Sequence, residues 1–201
     1  MQAQHRLKLT SPIPPSFNHY LAYRAIIKNG RPTAMSYCTT EAKRYREWFS
    51  NYVSEEVKRQ GWSATPNKFQ HFYVDTVFYF PRVDMDSSNY FKVMLDAITD
   101  TKLIWLDDNV ALERVQAVYY DSNNPRIEIC IHPVDYIGVF DNAPHLEAFV
   151  SRCADCTRGT RNCSLLNKAK EGKIQEEIVD GVCTKYKCKK ELKEDIKDGK
   201  N

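Results

Sequence analysis

The residues with chemistry to offer concentrate in one stretch, PRVDMDSSNYFKVMLDAITDTKLIWLDDNVALE, residues 81–113. Asp84 and Asp86 lie two apart after an apolar run that ends at Pro81, so an extended chain aims both carboxylates to one side. Lys92 falls one turn into a helix-forming segment. Asp107 and Asp108 follow the apolar Leu103–Leu106, a piece short enough to return them to the same end of a sheet. Carboxylates gathered with so little basic charge repel one another unless a cation holds them, and hard oxygen ligands select Mg²⁺ or Mn²⁺. Such an ion orients and acidifies a water against a phosphodiester, and Lys92 then offsets the extra charge of the transition state. The same residues read equally as local structure: Asp107-Asp108-Asn109 is common turn chemistry, and Asp86 is placed to cap a helix. Asp96, four residues after Lys92, is spaced to orient that lysine through an i,i+4 pair.

A second concentration is of sulfur. Of seven cysteines, Cys153, Cys156, Cys163, Cys183 and Cys188 fall near the C-terminus, whereas Cys38 and Cys130 stand alone. Cys153-x2-Cys156 has the spacing of a metal knuckle, and Cys183-x4-Cys188 is a looser second pair. Four thiolates from two such pairs make a closed, structural Zn²⁺ site, for which Cys163 is a fifth candidate. The alternative is a set of unliganded thiols on an accessory helix.

The elements that must position these groups read as an α+β chain: a mixed β-sheet packed with two main helices, plus a small Cys-rich helical C-terminal module. RLKLT (6–10) alternates like a strand, and the prolines of SPIPPSFNHY forbid helix after it. Residues 20–38 contain KNGRPT and form a hairpin or loop. From Thr40 to about Gln60, apolar residues recur at helical spacing, with Thr39 or Thr40 as N-cap and Gly61 as the stop. HFYVDTVFYF (71–80) reads as a buried strand and 88–100 as a buried helix. RVQAVYY (114–120) and RIEICIH (126–132) read as strands joined in a hairpin by DSNNP. The chain divides into a core at 1–132, a linker or wrapping segment at 133–150, a Cys-rich module at 151–188 with a helix near 164–180, and a charged tail at 189–201.

Bulk properties set the frame. The 201 residues are 42% hydrophobic and 12% aromatic, which is ample for a core and excludes wholesale disorder. No apolar run approaches the roughly 20 residues of a membrane helix, and MQAQHRLKLT lacks the apolar stretch of a signal peptide, so the expected address is cytoplasmic. Net charge is only +3, but residues 1–70 carry 11 Lys and Arg against 4 Asp and Glu, while residues 71–150 carry 5 against 13. That asymmetry suits a basic surface for phosphates beside an acidic cluster for metal, and it also lies within the fluctuation of a highly charged chain.

The acidic stretch resembles the RusA family of Holliday-junction resolvases. That family's Asp-x-Asp-Asn-x-x-Lys, Asp-Ala and Trp-x-Asp-Asp motifs are similar to Asp86-Ser87-Ser88-Asn89-Tyr90-Phe91-Lys92, Asp96-Ala97 and Trp105-Leu106-Asp107-Asp108. Near the N-terminus, Pro14-Pro15-Ser16-Phe17-Asn18-His19-Tyr20 is similar to the family's Pro-Pro-Ser-x-Asn-x-Tyr. The likeness spans roughly residues 5–132 and leaves the Cys-rich tail outside. One departure stands out: the gapless alignment that keeps Asn89 and Lys92 in place puts Ser88 where the second carboxylate belongs. The resemblance implies a Mg²⁺-dependent endonuclease for branched DNA, acting as a homodimer in recombination or repair. It makes Asp86, Asp108 and Lys92 catalytic, with Asp86 and Asp108 as metal ligands and Asp84 and Asp107 as further candidates. Arg24, Lys28 and Arg31 in the loop after the Pro-Pro motif, with Lys43, Arg44 and Arg46 on the first helix, are candidates to hold phosphates without reading sequence. The competing function is a non-catalytic DNA-binding or adaptor protein on the same scaffold.

Overall fold

A computed structural model describes residues 6–63, 68–159 and 163–189, so all of the expected charged tail except Lys189 lies outside the described residues. The chain divides into two compact units, 1–133 and 134–201.

The first unit is built on a four-stranded sheet in the order β1-β6-β4-β5, where β1 is Leu7–Ser11, β4 Phe72–Phe80, β5 Ala111–Tyr120 and β6 Arg126–Pro133. Strict alternation writes its two faces. Phe72, Val74, Thr76, Phe78 and Phe80 of β4 and Ile127, Ile129 and Ile131 of β6 are buried, while the residues between them are only partly covered. Two helices supply the other layer: α2 (Thr40–Arg59), which turns Ala42, Tyr45, Phe49, Val53 and Val57 inward, and α3 (Phe91–Thr101), which is buried around most of its circumference. The Thr39 side chain caps α2 by accepting from the Ala42 N–H at 3.3 Å, and the chain leaves that helix through Gly61 at a positive φ of 65°. α2 locks to α3 through Ser50 Oγ, which donates to the Ala97 carbonyl at 2.7 Å. Ahead of α2, the short helix α1 (Phe17–Tyr20) leads into a separate two-stranded ribbon, β2 (Leu21–Lys28) and β3 (Arg31–Cys38). The ribbon is closed by Asn29 and Gly30, both at positive φ, as a two-residue Asn-Gly hairpin requires.

The expected β5–β6 hairpin is not formed. β5 follows a helical crossover and therefore lies parallel to β4, while β6 pairs antiparallel with the other edge of β4. Residues 121–125 arch over the end of β4 instead of turning between neighbours, and the Asp121 N–H donates to the Phe80 carbonyl at 2.8 Å. The same crossover corrects the expected placement of Asp107 and Asp108. Ala111 is in register with Phe72, the first residue of β4, so these aspartates enter at the opposite end of that strand from Pro81.

The second unit contains α4 (Ala143–Asp155), α5 (Leu165–Lys170) and a minimal hairpin of β7 (Ile178–Val179) and β8 (Val182–Cys183). The helix expected over 164–180 is thus confined to 165–170, and the module is not purely helical. Residues 134–150 form part of the same unit: Phe140 and Phe149 are buried together with Ala169. Asn142 caps α4 by accepting from the His145 N–H at 3.0 Å, with Pro144 in the first turn, where its missing N–H costs nothing.

Candidate active site

One-turn 3-10 helices lead into α3 and into β5, and each opens on an aspartate. Asp86 caps Ser87–Tyr90 by accepting from the Ser88 N–H at 3.0 Å, and Asp107 caps Asp108–Val110 by accepting from the Asn109 N–H at 3.0 Å. The capping roles legible in the sequence are therefore occupied. They leave each carboxylate further lone pairs to offer.

Asp108, the next residue along, does something different. Its Oδ2 accepts from Lys92 Nζ at 2.8 Å, and the same ammonium lies 2.8 Å from Asp96 Oδ1, the i,i+4 partner on α3. The hydrogen bond from Asp108, then that from Asp96, raises the Lys92 pKa well above its ordinary value and keeps it protonated. Lys92 is thus a fixed cation, unsuited to act as a base.

From Asp96 the network continues into the Pro-Pro motif. The Tyr20 hydroxyl, at the end of α1, donates to Asp96 Oδ2 and accepts from Arg46 Nη1 at 2.9 Å. Burial first, and the hydrogen bond to Asp96 second, push the Tyr20 phenol up to about 12. Arg46 completes the chain with a forked contact to Asp100, Nε to Oδ2 at 3.0 Å and Nη2 to Oδ1 at 2.7 Å. Pro14 and Pro15 are buried, and they fix the extended entry that delivers Tyr20 to this point.

The structure therefore brings Lys92, Asp96 and Asp108 together and adds Tyr20, visible in the sequence only as the last residue of the Pro-Pro motif, and Glu113, which the sequence did not single out. Glu113, on β5, has its carboxyl raised by burial and then by the charge of Asp108, with Lys92 opposing. Its signal in sequence was only one polar residue in an alternating strand. Asp84 is turned to Arg82, 2.8 Å away at the surface. Among the described residues, no three Asp, Glu, His or Cys side chains stand close enough to enclose an ion as they are placed.

The basic candidates divide. Arg46 has its guanidinium engaged by Asp100 and Tyr20. Lys43 and Arg44 are exposed on α2. Arg24, Lys28 and Arg31 are exposed on the β2–β3 ribbon. Register places Arg24 opposite Met35 and Lys28 opposite Arg31, so all three cations share one face with Tyr37, whose ring lies 5.6 Å from the Arg24 guanidinium. The other face carries Tyr23, Ala25, Ile27, Pro32, Ala34 and Ser36, with no charge.

A lysine clamped between carboxylates in the first turn of a crossover helix, with a basic ribbon in the same unit, is an arrangement of charge suited to phosphate chemistry. Residues 12–132 match the family model described as Endodeoxyribonuclease RusA. The chain belongs to that family, whose members act on branched DNA junctions. A search of curated proteins found no match. Among the described residues, no helix is long and apolar enough to cross a membrane.

Proposed function

We propose that this protein is a Mg²⁺-dependent endonuclease that cleaves four-way DNA junctions during recombination or repair, working as a homodimer so that two opposed strands are cut together. The observation that carries the proposal is the Lys92 ammonium, held 2.8 Å from Asp108 inside the segment that matches the family.

The carboxylates are hard oxygen donors of the kind that suits Mg²⁺ or Mn²⁺. Asp108 offers its oxygens from the turn before β5, Glu113 adds a carboxyl near it, and Asp86 keeps lone pairs beyond its capping bond in the turn before α3. Mg²⁺ is commonly held by one or two carboxylates plus substrate phosphates, so an ion shared with DNA needs no third protein ligand gathered in advance. Bound there, the metal supplies an activated water and offsets charge on the scissile phosphate.

The chain's own residues do the rest. Lys92, kept charged by Asp108 and Asp96, stabilises the negative charge that develops on the phosphate. Asp96 and Tyr20 hold that ammonium in place, and Arg46 with Asp100 holds Tyr20. The basic face of the β2–β3 ribbon tracks phosphates, and its uncharged face keeps Ile27 and Tyr23 free to meet unstacked bases at a branch point.

The testing experiment offers the protein a synthetic four-way junction and a linear duplex of the same sequence, in Mg²⁺, Mn²⁺ or chelator. Metal-dependent nicking confined to the junction is expected. Ser88 and the Cys-rich module support the adaptor reading, which predicts junction binding in chelator with no cleavage in any divalent metal.

A further inference from the structure

The second unit is short of core. Its buried apolar cluster is Phe140, Phe149 and Ala169, with Cys153 and Cys183 packed against it, and among the described residues its strands are two residues long. Units of this size with so little buried apolar surface ordinarily depend on a disulfide or a metal. All its cysteines are free thiols.

Four of them surround one cavity of about 280 Å³, lined also by Phe149, Leu165 and Leu166. They arrive from separate places in the chain: Cys153 and Cys156 from the C-terminal end of α4, Cys163 from the segment before α5, and Cys183 from β8. Cys153 and Cys183 both pack against the Phe140, Phe149 and Ala169 cluster, and Cys156 and Cys163 line the same cavity.

Cys156 is the residue built for a ligand. It is buried, and the backbone N–H groups of Lys187, Arg158 and Gly159 lie close to its sulfur. The turn that delivers two of those donors closes with the Gly159 N–H on the Cys156 carbonyl at 3.1 Å. A Cβ on Gly159 would stand 2.1 Å from the Cys153 carbonyl oxygen, so only glycine permits that close approach. Amides converging on one sulfur serve a thiolate, and a buried thiolate calls for a cation.

Cys188 lies differently from the expected set. It faces Cys156 across a single β-bridge, but its thiol donates to Asp155 Oδ2 at 3.4 Å and does not line the cavity.

We propose that Cys153, Cys156, Cys163 and Cys183 bind one Zn²⁺ as a tetrathiolate structural site, with Cys188 outside the coordination sphere. The thiols ring the cavity without converging, so binding draws them inward, releases their protons to solvent and fastens α4, the segment before α5 and β8 together. Metal affinity then becomes folding free energy for this unit. The site stands independently of the nuclease reading.

The test uses the full chain purified under reducing conditions. Metal analysis should return about one zinc per chain, as a closed four-ligand site requires. Replacement by Co²⁺ should give the sulfur-to-cobalt charge-transfer band and the visible bands of a tetrahedral thiolate complex. Alkylation mapped by mass spectrometry on the zinc-loaded wild-type chain should modify Cys188 while sparing Cys153, Cys156, Cys163 and Cys183, and chelation should expose all four. Cys163→Ser should lose the zinc, and Cys188→Ser should retain it. Should Cys163→Ser fail to fold, the wild-type protection map still decides the ligand set. Wild-type chain that takes up neither zinc nor cobalt overturns the site. Zinc retained in Cys163→Ser but lost in Cys188→Ser, or a map that protects Cys188 and labels Cys163, overturns the assignment.

Discussion

Asp75→Asn puts a number on the interactions that hold together the strands beside the candidate active site. Asp75 sits mid-way along β4 on the face turned away from the helices. It accepts from Arg114 at 2.6 and 2.8 Å and from Gln116 at 2.7 Å on β5, and lies 3.0 Å from His132 Nε2 on β6. Arg114 is itself stacked 3.6 Å over the Tyr73 ring. Burial disfavours the carboxylate, but Arg114, then His132 and Gln116, outweigh it and pull Asp75 from 3.8 down to about 2. Nearly two pKa units correspond to between about 2 and 3 kcal/mol at most, and solvent screening on this partly open face brings the expectation to about 1–2 kcal/mol. Because the folded-state pKa is depressed, this stability is fully present above the unfolded value near pH 4 and is lost as pH falls through about 2. Trp48, Trp62 and Trp105 all lie in the first unit, so urea unfolding followed by tryptophan fluorescence reads that unit alone. Asp75→Asn should cost about 1–2 kcal/mol at pH 7, and its gap from wild type should shrink to about half by pH 3. A gap that is the same at pH 7 and pH 3, or that widens in acid, refutes the reasoning.

Three further outcomes follow from the site. Lys92→Ala should slow single-turnover junction cleavage by about 10²-fold or more while leaving junction affinity close to wild type, the loss expected for a transition-state charge stabiliser; an unchanged rate makes Lys92 structural. Tyr20→Phe removes the hydroxyl that joins Asp96 to Arg46 and should lower the cleavage rate with little change in affinity, at a stability cost of about 1 kcal/mol; equal losses of rate and affinity would place Tyr20 in DNA binding instead. Changing Arg24, Lys28 and Arg31 together to Ala should weaken junction binding and flatten its dependence on salt by about two to three units of log-log slope, and an unaltered slope removes the ribbon from the interface.

The parts of this account that were legible in the sequence are those governed by local periodicity. The α2 amphipathic stripe, the nine-residue alternation of β4 and the Asn-Gly hairpin each carry their own signal within a few residues. What the sequence could not decide was pairing. Asp121–Pro125 is good turn chemistry whether it joins adjacent strands or arches over β4, and only the crossover through α3 makes the second arrangement necessary. The site follows the same division. Lys92 with Asp96 is a spacing on one helix, and Lys92 with Asp108 was implied by the family resemblance. The bond from Tyr20 to Asp96 joins residues 76 positions apart, and Arg46 read as a surface cation until Asp100 claimed it. Cys163 and Cys188 were interchangeable by spacing and are distinguished only by which of them the chain folds back onto the cavity.

The central claim, that Asp108 belongs to the catalytic centre of a junction-cleaving nuclease, is tested most directly by one measurement: single-turnover cleavage of a four-way junction in Mg²⁺ by wild type and by Asp108→Asn, with binding measured in chelator. Wild type should cut the junction and spare linear duplex. Asp108→Asn should bind the junction nearly as tightly, because affinity rests on basic residues, and should lose cleavage by at least about 10²-fold. Wild-type cleavage rates in Asp108→Asn, or a wild-type protein that binds the junction and cuts it with no divalent metal, would contradict it.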